Sequence, residues 1–241
     1  MKICFVGDVH GGFDNLEFIV NNIDCNIVVQ LGDFGLWTDC VNDLPAYYKR
    51  KYNKPVYFVE GNHDNHDFLG KVKENHSDWK SGIELADNLV WMPRGSSLEI
   101  AGKRFFFCGG ADSIDKEYRL AYYPDTWWSG EIITEDVLEH ASGKYDYVIA
   151  HDRPSFVSES LLGNYGKIGE SSDVLSRLWG NIEVDKWVNG HWHSYSNVNI
   201  HNTQFITLDM LPSVKKIDKE YIEIADDGVN ISGSIMIETL E

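Results

Sequence analysis

Basic residues are scarce in this chain. Lys and Arg number 21 against 38 Asp and Glu, a formal net charge of -17. A long duplex footprint needs cations to neutralise phosphates, so the balance argues against duplex nucleic acid as a partner. It does not argue against an anionic small molecule, because divalent ions held by carboxylates reverse the local field. No apolar run approaches the length of a membrane-spanning helix. The polar stretch Gly7-Asp8-Val9-His10 follows one short strand, Lys2 to Val6, and leaves no room for an apolar leader. The expected location is the cytoplasm. Repeats, linkers and low-complexity segments are also lacking, so one domain over residues 1–241 is the simplest organisation. Cysteines are few (Cys4, Cys25, Cys40 and Cys108), and none forms a C-x-x-C pair. Cys4 and Cys108 lie in apolar strand-like runs and read as buried thiols, with a Cys25–Cys40 disulfide as the alternative.

What is present is a globular composition, 43% hydrophobic and 13% aromatic. The first third alternates strands and helices. Lys2 to Val6, Asn26 to Leu31 and Pro55 to Val59 read as strands. Helices are expected after Asp14 as N-cap, over Asp39 to Tyr52, and over Asn65 to Lys73. This order predicts parallel pairing through right-handed crossovers. Further strands are expected at Leu89 to Met92, Ser97 to Ile100, Arg104 to Cys108, Tyr145 to Ala150 and Lys186 to Asn189, with Ala101-Gly102 as a hairpin turn. Thr134 to Ala141, capped by Thr134, and Ser172 to Trp179 read as helices. Glu159 to Gly169 reads as a loop, and the tail from Ser196 as short antiparallel strands.

Metal-binding residue types fall where these strands end. Asp8 and His10 follow the first, Asp33 the second, and Asn62, His63 and Asp64 the third. His151 follows the strand ending at Ala150, and His191 and His193 follow the one ending at Asn189. In α/β sheets ligands collect beyond the carboxyl ends of strands, so residues this far apart in sequence can converge. Asp, His and Asn suit Mn, Zn, Fe or Co, and supply too few oxygens for a calcium cage. Gly7, Gly32, Gly61 and Gly190 precede these residues and suit a backbone that approaches ions closely.

Asp8-x-His10, Gly32-Asp33, Gly61-Asn62-His63-Asp64, His151 and Gly190-His191-x-His193 resemble, in order, the signature of the calcineurin-like metallophosphoesterase superfamily. The resemblance implies two mixed β-sheets packed as a sandwich and flanked by helices. It implies two divalent metal ions activating a bridging hydroxide; the mixed oxygen and nitrogen ligand set puts Mn first, with Zn, Fe, Co and Ni as alternatives. Asp8, His10 and His193 would hold one ion, Asn62, His151 and His191 the other, and Asp33 both. His63 would protonate the leaving group. A narrower likeness lies in Gly109-Gly110-Ala111-Asp112-Ser113-Ile114-Asp115, with Arg119 and the preceding Pro93-Arg94-Gly95. It is similar to small phage and bacterial metallophosphoesterases, some of which act on phosphodiesters, and it marks Arg94, Asp115 and Arg119 as substrate-binding candidates.

The second motif departs from the phosphoprotein-phosphatase pattern Gly-Asp-x-x-Asp-Arg-Gly. Leu36 stands where that branch has the Asp that orients the catalytic His, and Trp37 where it has a phosphate-binding Arg. Asp64 is the candidate orienter of His63. The expected activity is hydrolysis of a small phosphodiester or nucleotide-like substrate. The alternatives are a phosphomonoesterase or protein phosphatase, and a non-catalytic interaction scaffold of the same fold. Bland readings compete residue by residue. Asp8 alone is a turn cap and His63 alone a core histidine. Asp115 and Arg119 sit at the spacing of a helical ion pair. The aromatic residues Tyr118, Tyr122, Tyr123, Trp127 and Trp128 read as packing before they read as a base-stacking platform.

Overall fold

The computed structural model describes residues 1–163, 169–212 and 215–240. Its strands in chain order are β1 (Lys2–Val6), β2 (Ile27–Gln30), β3 (Val56–Phe58), β4 (Ile83–Ala86), β5 (Leu89–Trp91), β6 (Ser97–Ile100), β7 (Lys103–Cys108), β8 (Lys144–Ala150), β9 (Glu183–Asn189), β10 (Ser196–Ile200), β11 (Thr203–Thr207) and β12 (Ile235–Thr239). The α-helices are α1 (Phe13–Asn22), α2 (His66–Glu74), α3 (Lys116–Tyr122), α4 (Ser155–Leu162) and α5 (Glu170–Asn181).

Two six-stranded sheets result, in the orders β12-β1-β2-β3-β5-β4 and β10-β11-β9-β8-β7-β6. Each has four parallel strands in the middle and one antiparallel strand at either edge. Side chains alternate across the pleat, so each central strand serves two layers. Ile3, Phe5 and Val29 meet Phe105, Phe107, Ile149 and Val188 between the sheets. Cys4, Val6 and Val28 point the other way, toward Leu16, Ile19 and Val20 of α1 and Phe68 and Leu69 of α2. Phe106, Val148 and Trp187 form the third layer with Val157 of α4 and Leu175 and Leu178 of α5. Double-sided burial explains why these strands read as unbroken apolar runs. The architecture is the helix-flanked sandwich of two mixed sheets that the resemblance implied.

Several local expectations are corrected. Asp39 to Tyr52 is not an α-helix: only a 3₁₀ turn at Ala46–Tyr48 forms there. Pro45 interrupts the segment, and a proline ring cannot sit in a helix interior without removing a hydrogen bond and striking the preceding turn. Asp14 is not the cap of α1, which starts at Phe13 after Gly12. Thr134 does not cap a helix either. Its hydroxyl turns to the Asp136 carboxylate, and Glu135–His140 is 3₁₀. The expected loop from Glu159 begins inside α4, and residues 164–168 of that loop lie outside the described residues. β4 and α3 carry no strong period and were not foreseen. The tail is not all antiparallel: β11 pairs parallel to β9, and β12 crosses to the other sheet beside β1. All four cysteines are free thiols, with Cys4, Cys40 and Cys108 buried, so the Cys25–Cys40 alternative falls. No helix among the described residues is long and apolar enough to cross a membrane.

Candidate metal centre

The parallel strands of both sheets point their carboxyl ends at one place. Asp8 and His10 arrive from β1, Asp33 from β2, Asn62 and His63 from β3, His151 from β8, and His191 and His193 from β9. One ligand atom each from Asp8, His10, Asp33 and His193 lies within 4.8 Å of the others. Donors sharing one ion at about 2.0–2.2 Å stand at most about 4.4 Å apart, so the cluster is near holding distance. His10 Nε2 lies 3.1 Å from His193 Nε2, and His193 Nε2 lies 3.0 Å from Asp8 Oδ2.

A second group sits beside the first. His151 Nε2 is 3.1 Å from Asn62 Oδ1 and 3.5 Å from Asp33 Oδ1. The His151 and His191 rings pack edge to face, 5.0 Å between centroids. Asp33 joins the two groups: its Oδ2 faces His10 at 3.6 Å while its Oδ1 faces His151. His151 Nδ1 is tied to the Leu31 carbonyl at 2.7 Å, which fixes the ring and aims Nε2 at the site.

The electrostatics suit cations. Asp8 and Asp33 are buried, and among the described residues the ion-pair partners of both are histidines. Two carboxylates taken out of water without Lys or Arg are costly unless a cation offsets them. Burial pushes the Asp33 carboxyl up, but His151, His63 and His10 outweigh it and hold Asp33 well below the usual range. Burial opposes a proton on His151, yet Asp33 and Asp8 raise it to about 10. A hydrogen bond to Asp8 raises His193, whereas burial lowers His191 and His63. The donor set therefore fits divalent ions of borderline hardness.

Backbone conformation marks the same residues. His10, Asp33, His191 and His193 all have positive φ, between 44° and 68°. Left-handed backbone costs a side-chain-bearing residue about 1–2 kcal/mol, and such strain gathers at functional sites. The motif glycines have a more specific cause than close approach to ions. A Cβ on Gly32 would stand 2.4 Å from His151 Nδ1, one on Gly61 2.1 Å from Asp33 Oδ1, and one on Gly190 2.1 Å from Asp8 Oδ1. In each case a site residue from another strand occupies the space.

His63 lines a cleft of about 790 Å³, whose walls also include Asp112, Ile114, Asp115, Leu162 and Trp192. Asp64 does not orient it. Both Asp64 oxygens are taken by backbone N–H donors, Gly35 and Leu36 at Oδ1 and Phe34 and Gly61 at Oδ2. Asp64 instead staples the Asp33 loop to the Asn62 loop. The charges of Arg119 and Asp115 act on His63 in opposite senses, Arg119 lowering it and Asp115 raising it. Asp115 lines the cleft, and its Oδ1 is buried without a hydrogen-bond partner among the described residues. Arg119 does not pair with Asp115 at its side chain; its guanidinium is buried and bonds Ser113 Oγ and Thr126 Oγ1. Arg94 spends its guanidinium on the carbonyls of Gly109, Gly130, Glu131 and Ile132. Leu36 is core, and Trp37 packs against Gly11.

Residues that sequence reasoning missed support the ligands from behind. Asp152 accepts from Trp192 Nε1 at 2.8 Å and Ser172 Oγ at 2.7 Å, pinning the indole between His191 and His193. Arg153 stacks on that indole at 4.0 Å. Asp152 directly follows the ligand candidate His151, the one sequence signal that could have drawn attention to it. Ser113 and Glu131 bond each other and reach Asn62. Glu131 had no sequence signal at all.

The fold and site together describe an α/β protein of two mixed sheets with a cluster of Asp and His side chains that could hold a metal ion. The chain belongs to the calcineurin-like phosphoesterase family, whose model matches residues 1–195. It is thus a member of a family of metal-dependent phosphoesterases. No curated protein matches it by sequence. Similar solved structures include a novel archaeal phosphodiesterase, 14% identical over 87% of this chain and 84% of that one, with a TM-score of 0.38. Phosphopantetheinyl hydrolase from Mycobacterium tuberculosis is 13% identical over 87% and 89%, with a TM-score of 0.44. The anchor protein of the Plasmodium inner membrane complex is 15% identical over 86% and 70%, with a TM-score of 0.42.

Proposed function

We propose that this protein hydrolyses a small phosphodiester with a dinuclear centre. Asp8, His10 and His193 hold one divalent ion, Asn62, His151 and His191 the other, and Asp33 both. Mn is the first candidate for its mixed oxygen and nitrogen preference. The observation that carries the reading is the placement of Asp33, with one oxygen toward each group. Two such ions supply Lewis-acid polarisation of the phosphoryl oxygens and a hydroxide nucleophile near neutral pH. The residues do the rest. The Asp8 and Asp33 carboxylates offset only part of the charge of two divalent ions, which would leave an excess of positive charge for the phosphoryl group. His63, which lines the cleft, gives the leaving oxygen a proton from its imidazolium form and is left as neutral imidazole. Its backbone N–H bonds Asp33 Oδ1 at 2.9 Å, which fixes its distance from the centre.

The cleft supports a small substrate, being in the range of ligand pockets at about 790 Å³. Its described lining residues include no Lys or Arg, which suits a diester monoanion better than a monoester dianion. Asp115 faces the leaving group, where it accepts from a hydroxyl or amino donor. Arg94 and Arg119, substrate-binding candidates by sequence, act through the wall they brace. The free thiols support a reducing, cytoplasmic compartment. Turnover of bis-p-nitrophenyl phosphate and p-nitrophenyl phosphate, with Mn, Zn, Co, Ni and Mg added in turn, tests the reading. Metal-dependent diester cleavage is expected. Efficient monoester cleavage with no diester activity overturns the substrate assignment, and no activity with any metal overturns the enzyme.

A further inference from the structure

Asn62 poses a problem that the Asp and His ligands do not. Its amide has an oxygen at one end and an NH₂ of nearly the same shape at the other, and only the oxygen can bind a cation. A half-turn about the last side-chain bond would present N–H groups to the ion. Something must choose the end.

In the structure Asn62 Oδ1 faces His151 Nε2 at 3.1 Å, and Asn62 Nδ2 donates to Ser113 Oγ at 3.0 Å. A serine hydroxyl is itself two-faced, donor or acceptor according to its rotation. Glu131 removes that freedom. Its carboxylate grips Ser113 twice, accepting the backbone N–H at Oε1 (2.9 Å) and the hydroxyl proton at Oε2 (2.8 Å). Arg119 Nη1 adds a further donor to Ser113 Oγ at 3.2 Å. The hydroxyl therefore gives its one proton to Glu131, and its lone pairs receive Arg119 and Asn62. The set is closed to water: Glu131 is 0% exposed, Asn62 2%, Arg119 6% and Ser113 8%.

We propose that Glu131 and Ser113 are positioning residues that dictate which end of Asn62 meets the second metal ion. A carboxylate has no proton to give, so Ser113 Oγ must accept from Asn62, and Asn62 Nδ2 must turn away from the ion. The inference rests on the reading of Asn62 as a ligand. It gives a role to the serine in the Gly109 to Asp115 stretch, and it explains why a carboxylate lies fully buried at position 131. A tie that only held the loop would work with the amide in either direction.

Calorimetric titration of Mn²⁺ into the full chain tests it, with circular dichroism melting to confirm folding. The native chain is expected to take up two ions. Ser113→Ala should weaken one of the two sites about tenfold and spare the other. Glu131→Gln should do the same. The fixed backbone N–H of Ser113 claims the amide oxygen, so the NH₂ meets Oγ and the hydroxyl proton swings toward Asn62. The decisive arm is Asn62→Asp. A carboxylate presents oxygen either way round, so Ser113→Ala should cost less than about twofold in that background. Unchanged Mn²⁺ affinity in both Ser113→Ala and Glu131→Gln overturns the proposal, as does an equal Ser113→Ala penalty with Asn and Asp at position 62. A native chain that binds one ion with Asn62 uninvolved overturns the underlying ligand assignment, a result distinguishable from either of these.

Discussion

Replacing Gly190 with Ala puts a methyl group in place of a hydrogen at a point where the chain has no room. The new Cβ would stand 2.1 Å from Asp8 Oδ1 and 3.3 Å from the Leu31 carbonyl oxygen. Gly190 does not have a positive φ, so backbone strain does not confuse the result. Ordinary contact begins near 3.4 Å, so the Asp8 carboxylate must retreat by about 1.3 Å. Metal–oxygen bonds tolerate about 0.2 Å. Retreat therefore amounts to loss of a ligand, and it also strains the bonds from the His191 N–H to both Asp8 oxygens. Overpacking of this kind costs about 1–3 kcal/mol of stability, a fall of roughly 3–10 °C in Tm for a chain of this size. Metal binding should suffer more, by about 100-fold at the site that Asp8 serves. Calorimetric Mn²⁺ titration with melting curves of metal-free protein separates the two effects. A folded Gly190→Ala protein binding two ions with native affinity would refute the steric reasoning and the assignment of Asp8.

Three further outcomes follow from the same geometry. His63→Ala should keep both ions, since the backbone N–H rather than the ring contacts Asp33, but should lower kcat about 100-fold on an alkyl diester. On p-nitrophenyl esters, whose leaving group needs no proton, the loss should stay under about tenfold; equal losses on both substrates contradict the proton-donor role. His151, raised to about 10 from an ordinary 6.5, gives metal-free protein a stabilisation that is complete below pH 6.5 and lost as pH climbs toward 10. Chemical denaturation across that window should show a fall on the order of 4 kcal/mol without metal and a much shallower slope with Mn²⁺, which takes the proton's place; a flat metal-free profile would be inconsistent with the buried Asp33–His151 pair. Gly70→Ala, inside α2 with nothing within 4 Å of the new Cβ, should raise stability by about 0.5–1 kcal/mol, and a loss there would contradict the exposed helical placement.

The candidate ligand residues could be read from the chain because each sits just past a strand, and short apolar runs between polar breaks are a strong local signal. That logic singled out Asp8, His10, Asp33, Asn62, His151, His191 and His193, which the fold brings to one place, and it anticipated the parallel pairing of the first strands, whereas the two mixed sheets were implied by the family resemblance. Where a segment's fate hung on local chemistry that was overlooked, as with Pro45 inside the expected Asp39 to Tyr52 helix, the expectation failed although the sequence held the answer.

Other features had no local trace. Asp64 reads as a partner for the histidine beside it, but the Asp33 loop brings three N–H groups to its carboxylate and Gly61 a fourth. Arg119 and Asp115 have the spacing of an ion pair, yet Ser113 and Thr126 offer the guanidinium closer partners. Glu131 reads as one surface carboxylate among many until the fold buries it against Ser113. A sequence by itself determines which side chains can be donors, acceptors or ligands and which segments will be apolar on two faces. Which donor meets which acceptor across 18 or 51 residues is decided only when the sheets stack, because a hydrogen bond depends on ångströms and angles that chain spacing does not encode.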